Sequence, residues 1–245
     1  MISLRGVGFR YPDSAEGSFA LHSVDMEITE GSTVAVLGAN GSGKSTLARI
    51  LNALLLPTQG SLSVDGTQID CNSRPDPEAI RKIRCSVGMV FQNPENQIVA
   101  DTVEQDVAFG PENLGLCSSE IRERTDKALC LMGLENLRLR NPRQLSGGQL
   151  QKLAIAGVLA TSCSYIVLDE SLSMLDNKSK SEVLETLGNL NRERNLGIIM
   201  ISHDIRDCSL AEHIFVLENG TLAMQGTNGE ILERRGELRA LGIRC

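Results

Sequence analysis

"TVAVLGANGSGKSTLARIL", residues 33–51, changes character twice over a short distance. Residues 33–38 form a short apolar run, better suited to a strand covered on both faces than to one facing water. Residues 38–46 match the pattern G-x-x-x-x-G-K-[ST]. Beyond them Leu47, Ile50, Leu51 and Leu54 fall at i, i+3, i+4 and i+7, the stripe of an amphipathic helix. A glycine-rich turn between a strand and a helix is the setting in which this pattern holds phosphate. Gly38, Gly41 and Gly43 let the backbone wrap around phosphate oxygens, with N–H groups and the helix dipole facing the anion. Asn40 and Ser42 complete the loop. Lys44 would reach the β- and γ-phosphates, Ser45 would ligate Mg²⁺, and Thr46 would sit near the α-phosphate.

A phosphate loop of this kind needs an acid to hold the metal. "YIVLDE", residues 165–170, places Asp169 at the carboxyl end of a buried strand, where it can hold Mg²⁺ through water. Glu170 beside it can orient and deprotonate an attacking water. "LSGGQ", residues 145–149, adds a second anion device. Ser146, Gly147, Gly148 and Gln149 open a helix whose apolar positions include Leu150, Leu153, Ala154 and Val158, with an ordinary Ser-capped helix after a flexible turn as the alternative if the phosphate loop were absent. A third stretch, "VFQNPENQIVADTV" (90–103), begins as a strand, turns polar at Gln92, meets Pro94, and restarts as a helix near Val103. Thr102 and Gln105 fit a capping box there.

Around these motifs strands alternate with helices. Residues 2–10 and 20–28 read as strands, 61–69 as part of a hairpin, 118–132 and 177–194 as helices, and 197–202 as a buried strand. Asn219-Gly220 signals a tight hairpin near the end. The expectation is one α/β domain spanning residues 1–245, with a helical insertion over about 101–162 and a short charged tail after Glu230.

Composition sets limits on partners. Of the 245 residues 41% are hydrophobic, enough for a sizeable core, and the net charge of −7 is spread along the chain. A nucleic-acid groove would leave a basic footprint, so no nucleic acid is expected. The seven cysteines (Cys71, Cys85, Cys117, Cys130, Cys163, Cys208 and Cys245) are dispersed and never spaced CxxC; they read as reduced, buried thiols of a cytoplasmic protein. No apolar run opens the chain at signal length, and none reaches bilayer length. Any membrane work would therefore fall to another chain.

In the order of its motifs the chain resembles the ATPase subunits of ATP-binding-cassette transporters over nearly its whole length. That resemblance implies a mostly parallel sheet around the phosphate loop, an N-terminal antiparallel β part and an α-helical signature subdomain. It implies ATP and Mg²⁺ as ligands, and a second ATPase subunit whose LSGGQ faces this chain's phosphate loop. Carried over position by position, Tyr11 corresponds to the aromatic stacked on adenine, with a strand-end core tyrosine as the alternative. His203 corresponds to the switch histidine at the γ-phosphate, and Gln92 to the glutamine beside the metal and attacking water. Residues 173–176 match the loop that crosses the dimer interface, where Asp176 can also cap the next helix. His22 and His213 carry no motif and read as structural. Two positions depart from the pattern: Leu172 replaces a small or hydroxylated residue, and Lys152 stands where arginine is common.

"QNPENQIVADTVEQDVAFGPEN" and "LAIAGVLA" resemble the energy-coupling factor branch, importers of vitamins and of cobalt or nickel ions. That implies docking beneath a transmembrane coupling protein joined to a substrate-binding membrane protein, at the cytoplasmic face of the cell membrane. A soluble cassette ATPase, for example of iron–sulfur assembly, and an ATP-binding subunit without turnover are the competing readings. The "QNPENQ" stretch counts against the first, and intact Glu170 and His203 against the second.

Overall fold

The central strands Thr33–Leu37, Tyr165–Asp169 and Gly197–Ser202 are buried at every position, as strands covered on both faces must be. The computed structural model describes residues 1–12, 19–74 and 76–244. Its first part contains β1 (Ile2–Phe9), β2 (Leu21–Ile28), β3 (Thr33–Leu37), α1 (Lys44–Leu51), β4 (Gln59–Val64), β5 (Thr67–Asp70), α2 (Pro77–Ser86) and β6 (Val87–Val90). A helical stretch follows, with α3 (Val103–Asn113), α4 (Ser118–Met132) and α5 (Gly147–Ala160). The last part holds β7 (Tyr165–Asp169), α6 (Asn177–Arg194), β8 (Gly197–Ser202), β9 (His213–Glu218), β10 (Thr221–Thr227), α7 (Asn228–Glu233) and α8 (Arg235–Ala240).

Two sheets result. One is antiparallel, in the order β2-β1-β4-β5; the other runs β10-β9-β3-β8-β7-β6, with every pairing parallel except the β9–β10 hairpin. Parallel strands must be covered on both faces, and the two cores do this. Val34 and Val36 face a core shared with the antiparallel sheet and α1, which includes Ile2, Leu47 and Ile50. Ala35 and Leu37 face the other way, into a core with Leu129, Leu153, Ile155 and Leu187.

The register sets the chemistry. Leu37 lies opposite Ser202, Asp169 opposite Ile201, and Val90 opposite Leu168, so β3, β8, β7 and β6 end side by side. The crevice outside the carboxyl ends of such strands is where open α/β sheets bind ligands.

Several local expectations need correction. Leu54 is not on α1: the helix ends at Leu51, Ala53 turns left-handed at φ 54°, and Leu54 N–H closes onto the Arg49 carbonyl, leaving Leu54 exposed. Helix α2 has no counterpart in the sequence reading, although Asp76 caps it and Pro77 opens it. Thr102 does cap α3, accepting from Gln105 N–H at 3.3 Å. The tail after Glu230 is a pair of short helices whose Ile231, Leu238 and Ile243 join the helical-side core. Among the described cysteines, all free, Cys163 and Cys208 are buried but Cys117 and Cys130 are exposed; Cys245 lies outside the described residues. No helix among the described residues is long and apolar enough to cross a membrane.

Leu129, on α4 and 1% exposed, tests the helical side of the core. Leu129→Ala should lose roughly 2–5 kcal/mol in denaturant unfolding, the range for a buried leucine leaving a cavity. A loss below about 0.5 kcal/mol, typical of surface positions, would contradict that packing.

Candidate active site

Helix α1 begins without a side-chain cap: Gly43 occupies the Ncap position at φ 100°, ψ 0°. The left-handed turn there suits glycine, and a β-carbon would lie 2.6 Å from the Ala20 carbonyl oxygen. With no side chain closing the end, the first-turn N–H groups of Lys44, Ser45 and Thr46 stay available to an anion. Ser42 Oγ beside them is buried without a hydrogen-bond partner. An orphaned hydroxyl at an uncapped helix start fits a phosphate group. Asn40 and Gly41 are exposed at the loop's tip, and Gly38 approaches the Leu217 carbonyl too closely for a side chain.

Lys44 is buried at 5% exposure and donates to the carbonyls of Gly38 (2.9 Å) and Ala39 (2.8 Å). Its ammonium is 3.7 Å from Glu170 Oε1. Burial lowers the Lys44 pKa from its usual value, and the Glu170 and Asp169 carboxylates oppose that shift. Asp169 accepts from Ser45 Oγ at 3.1 Å. Burial raises its carboxyl above the usual range, partly countered by the Ser45 hydrogen bond.

Glu170 is the hub. Its backbone sits in the left-handed region at φ 48°, a conformation that costs a non-glycine residue roughly 1–2 kcal/mol. The turn directs it away from Asp169's contacts. Gln92 Nε2 donates to Glu170 Oε2 at 3.2 Å, and His203 Nδ1 lies 3.3 Å from the same oxygen. Lys44 from the start of α1, Gln92 from beyond β6 and His203 from the end of β8 thus meet at the Glu170 carboxylate beyond β7.

Tyr11 lies against the phosphate loop, its hydroxyl 3.1 Å from Thr46 Oγ1 and its ring edge-on to Phe9 at 4.9 Å. Ser146–Gln149 is not brought into the cluster: among the described residues no hydrogen bond or ion pair joins them. Ser146 and Gln149 instead close a capping box on α5, with Ser146 and Gly147 exposed. The box occupies the Gln149 N–H and leaves those of Gly147 and Gly148 outside it. Asp176 caps α6, accepting from Lys178 and Ser179 N–H. Leu172 is packed in the core, and Lys152 pairs with Glu182 at 2.9 Å.

Two functional positions escaped the sequence reading. Gln97 accepts from Phe91 N–H at 3.2 Å and donates to the Ala154 carbonyl at 3.3 Å, tying the polar loop to α5. Asp106 accepts from Val99 N–H (2.8 Å) and Ala100 N–H (3.1 Å), fixing the loop's far end to α3. Asp106 is signalled only by an acid between the buried Val103 and Val107 of α3, and Gln97 is one more polar residue in a polar loop, which period does not interpret.

No group of three or more His, Cys, Asp or Glu among the described residues could hold a metal by itself. That fits Mg²⁺, which binds through one or two protein groups and completes its shell with water and substrate phosphates. Ser45, Asp169 and the Gln92 side-chain carbonyl have the oxygen chemistry for it.

A family model described as ABC transporter matches residues 21–173. The energy-coupling factor transporter ATP-binding protein EcfA of Syntrophomonas wolfei is 45% identical over 99% of this chain and 86% of its own length. EcfA1 of Symbiobacterium thermophilum is 46% identical over 99% and 84%. Among solved structures, cbiO1 of Clostridium perfringens, part of the ABC transporter complex cbiONQ, superposes with TM-score 0.83 at 35% identity, covering 99% of this chain and 94% of that one. A dimeric ATP-binding cassette in a post-hydrolysis state, bound to ADP and Pi, gives TM-score 0.84 at 32% identity over 93% and 99%.

Asp169 gives a pH test. Its folded-state pKa is raised, so the stability it contributes is complete below the unfolded carboxylate pKa and is lost as pH rises through the folded value. Asp169→Asn removes that loss. Its thermal unfolding should come at or above wild type at neutral pH, the two converging as pH falls to about 4. A variant less stable than wild type at neutral pH contradicts the reading.

Proposed function

The chain belongs to the ABC transporter ATPase family, and on that premise we propose that it is the ATP-hydrolysing subunit of an energy-coupling factor importer, powering uptake of a vitamin or transition-metal ion. The observation that carries the proposal is the meeting of Lys44, Gln92 and His203 at Glu170, outside four neighbouring parallel strands. The branch assignment rests on EcfA relatives that match 99% of the chain. Those relatives count against a soluble ATPase of iron–sulfur assembly.

In this reading the phosphates of ATP lie on residues 38–46, with adenine against Tyr11. Lys44 faces the β- and γ-phosphates. Glu170 takes the proton of a water whose oxygen attacks the γ-phosphorus, while the bond to the β,γ-bridging oxygen breaks and ADP leaves. Gln92 and His203 hold the Glu170 carboxylate and the water in line. Ser45, Asp169 and Gln92 would hold Mg²⁺, which neutralises charge on the phosphate oxygens when bound. Loss of any one group weakens a preorganised polar site rather than a covalent step.

Ser146, Gly147, Gly148 and Gln149, outside the cluster and with Ser146 and Gly147 exposed, complete the site of a second subunit. Residues 101–162 act as the helical subdomain that carries them. Leu54, Phe91, Val99 and Phe109 line a groove between that subdomain and α2. Val99 is 62% and Phe109 48% exposed, apolar surface that a helix of the transmembrane coupling protein would cover. The chain would then sit at the cytoplasmic face of the membrane as a peripheral subunit, with a substrate-binding membrane protein beyond the coupling protein.

Glu170→Gln, assayed in the purified complex, should keep ATP binding and lose turnover by ~10²-fold or more. Wild-type-like hydrolysis would remove Glu170 from the role of base. Half-sites on separate chains also predict that specific activity of the isolated subunit rises with its concentration. A strict monomer, verified by sedimentation, that hydrolyses ATP at constant specific activity on dilution would refute the shared site.

A further inference from the structure

The switch loop around His203 is held on one side by a segment far from it in sequence. Arg244 N–H donates to the His203 carbonyl at 2.9 Å, and Ile205 N–H donates to the Arg244 carbonyl at 3.0 Å. These two bonds form a parallel bridge between Asp204 and Arg244. Ile243 and Leu238 anchor the segment in the same core as Ile205 and Cys208. Gly242, at φ +75°, turns it out of α8, and a β-carbon there would lie 3.2 Å from Ala39 Cβ in the phosphate loop. One short strap therefore touches both the loop that carries Lys44 and the loop that carries His203.

We propose that Gly242–Arg244 is a positioning element for the ATPase reaction: it fixes the backbone of His203 against the phosphate loop, so that the imidazole is held at Glu170. The inference rests on the role of His203 given above. The rest of the switch loop is tied from below. Ser202 Oγ accepts from Asp204 N–H (3.0 Å) and donates to Asp207 (2.9 Å), which also pairs with Lys180 of α6. The Asp204 carboxylate accepts from Arg206 N–H at 2.9 Å and pairs with the Arg206 guanidinium. None of these bonds holds the His203 carbonyl; among the described residues the Arg244 N–H does. A strap of backbone bonds leaves the side chain of residue 244 without a part in positioning, so the amide and not the guanidinium should matter.

The test uses the full chain assembled with its partner subunits. Arg244→Pro removes the N–H and should lower kcat roughly 10- to 100-fold, as small misplacements of a reacting group do, with KM for ATP changed less than about twofold. Arg244→Ala keeps the N–H and should retain wild-type turnover. Gly242→Ala, strained at its φ and crowding Ala39, should reproduce the kcat loss and serves if the proline variant does not fold. The chain has three histidines, so imidazole NMR resonances separate a local from a global effect. Arg244→Pro should displace that of His203 and leave those of His22 and His213 in place. Unchanged kcat in both the proline and the Gly242 variants, equal damage from Arg244→Ala, or displacement of all three resonances overturns the strap. Full turnover in His203→Ala would instead overturn the switch role beneath it, whereas loss there with normal turnover in Arg244→Pro overturns the strap alone.

Discussion

The parallel register of β3, β8, β7 and β6 is the constraint on which the site depends. Leu37 opposite Ser202, and Asp169 opposite Ile201, place Gly38, His203 and Glu170 side by side at one edge of the sheet. A slip of one residue would invert the faces, sending Val34 and Val36 toward the helices and Leu37 toward the antiparallel sheet. Burial on both sides resists that slip, since each face is fully apolar. The chemistry is therefore a consequence of how a buried parallel sheet ends, and the helical and antiparallel layers are what keep it buried.

Burial at that edge makes the charges interdependent. Lys44 and Asp169 are both disfavoured in their charged forms by loss of water, and each is partly restored by its neighbours. Glu170 lies between Lys44 on one side and Gln92 and His203 on the other. The left-handed backbone at Glu170 is the one local cost accepted at the strand end, and it separates two adjacent carboxylates into different contacts. Ser42 shows the complementary economy: a buried hydroxyl with no partner within the protein, at the start of an uncapped helix.

Much of this was legible in residues alone, because each strand end carries its own local pattern. The run 33–38 followed by glycines and Lys44, and 165–169 ending in an acid, specify strand, turn and function together. The period that marks α1 misled at Leu54, since a left-handed Ala53 interrupts the helix where the apolar spacing continues. Helix α2 was illegible by period, although Asp76-Pro77 is a start signal. The tail read as charged because its exposed faces are charged; the pairing of Arg244 with the switch loop joins positions about forty residues apart and has no local trace. At Ser146 the sequence carries two readings at once, because a stretch built for an anion is also a Ser-capped helix start, and the structure adds Gln149 to close the box.

The two side chains that meet Glu170 from neighbouring strands differ in how their loops are anchored, and that difference assigns them different work. Gln92 leaves β6 on a loop whose later residues are gripped by helices α5 and α3 through Gln97 and Asp106. Any shift of the helical layer must therefore be felt at Gln92, a short chain length away. His203 leaves β8 on a loop bonded instead to the Gly242–Arg244 segment and to α6. Glu170 thus meets one partner tied to α3 and α5 and another tied to α6 and the Gly242–Arg244 segment, so a displacement between those anchors would leave the carboxylate with one partner instead of two. A ligand that binds the two arrangements with different affinity shifts the balance between them. In the reading proposed above, nucleotide would act in this way on a partner docked on the helical side.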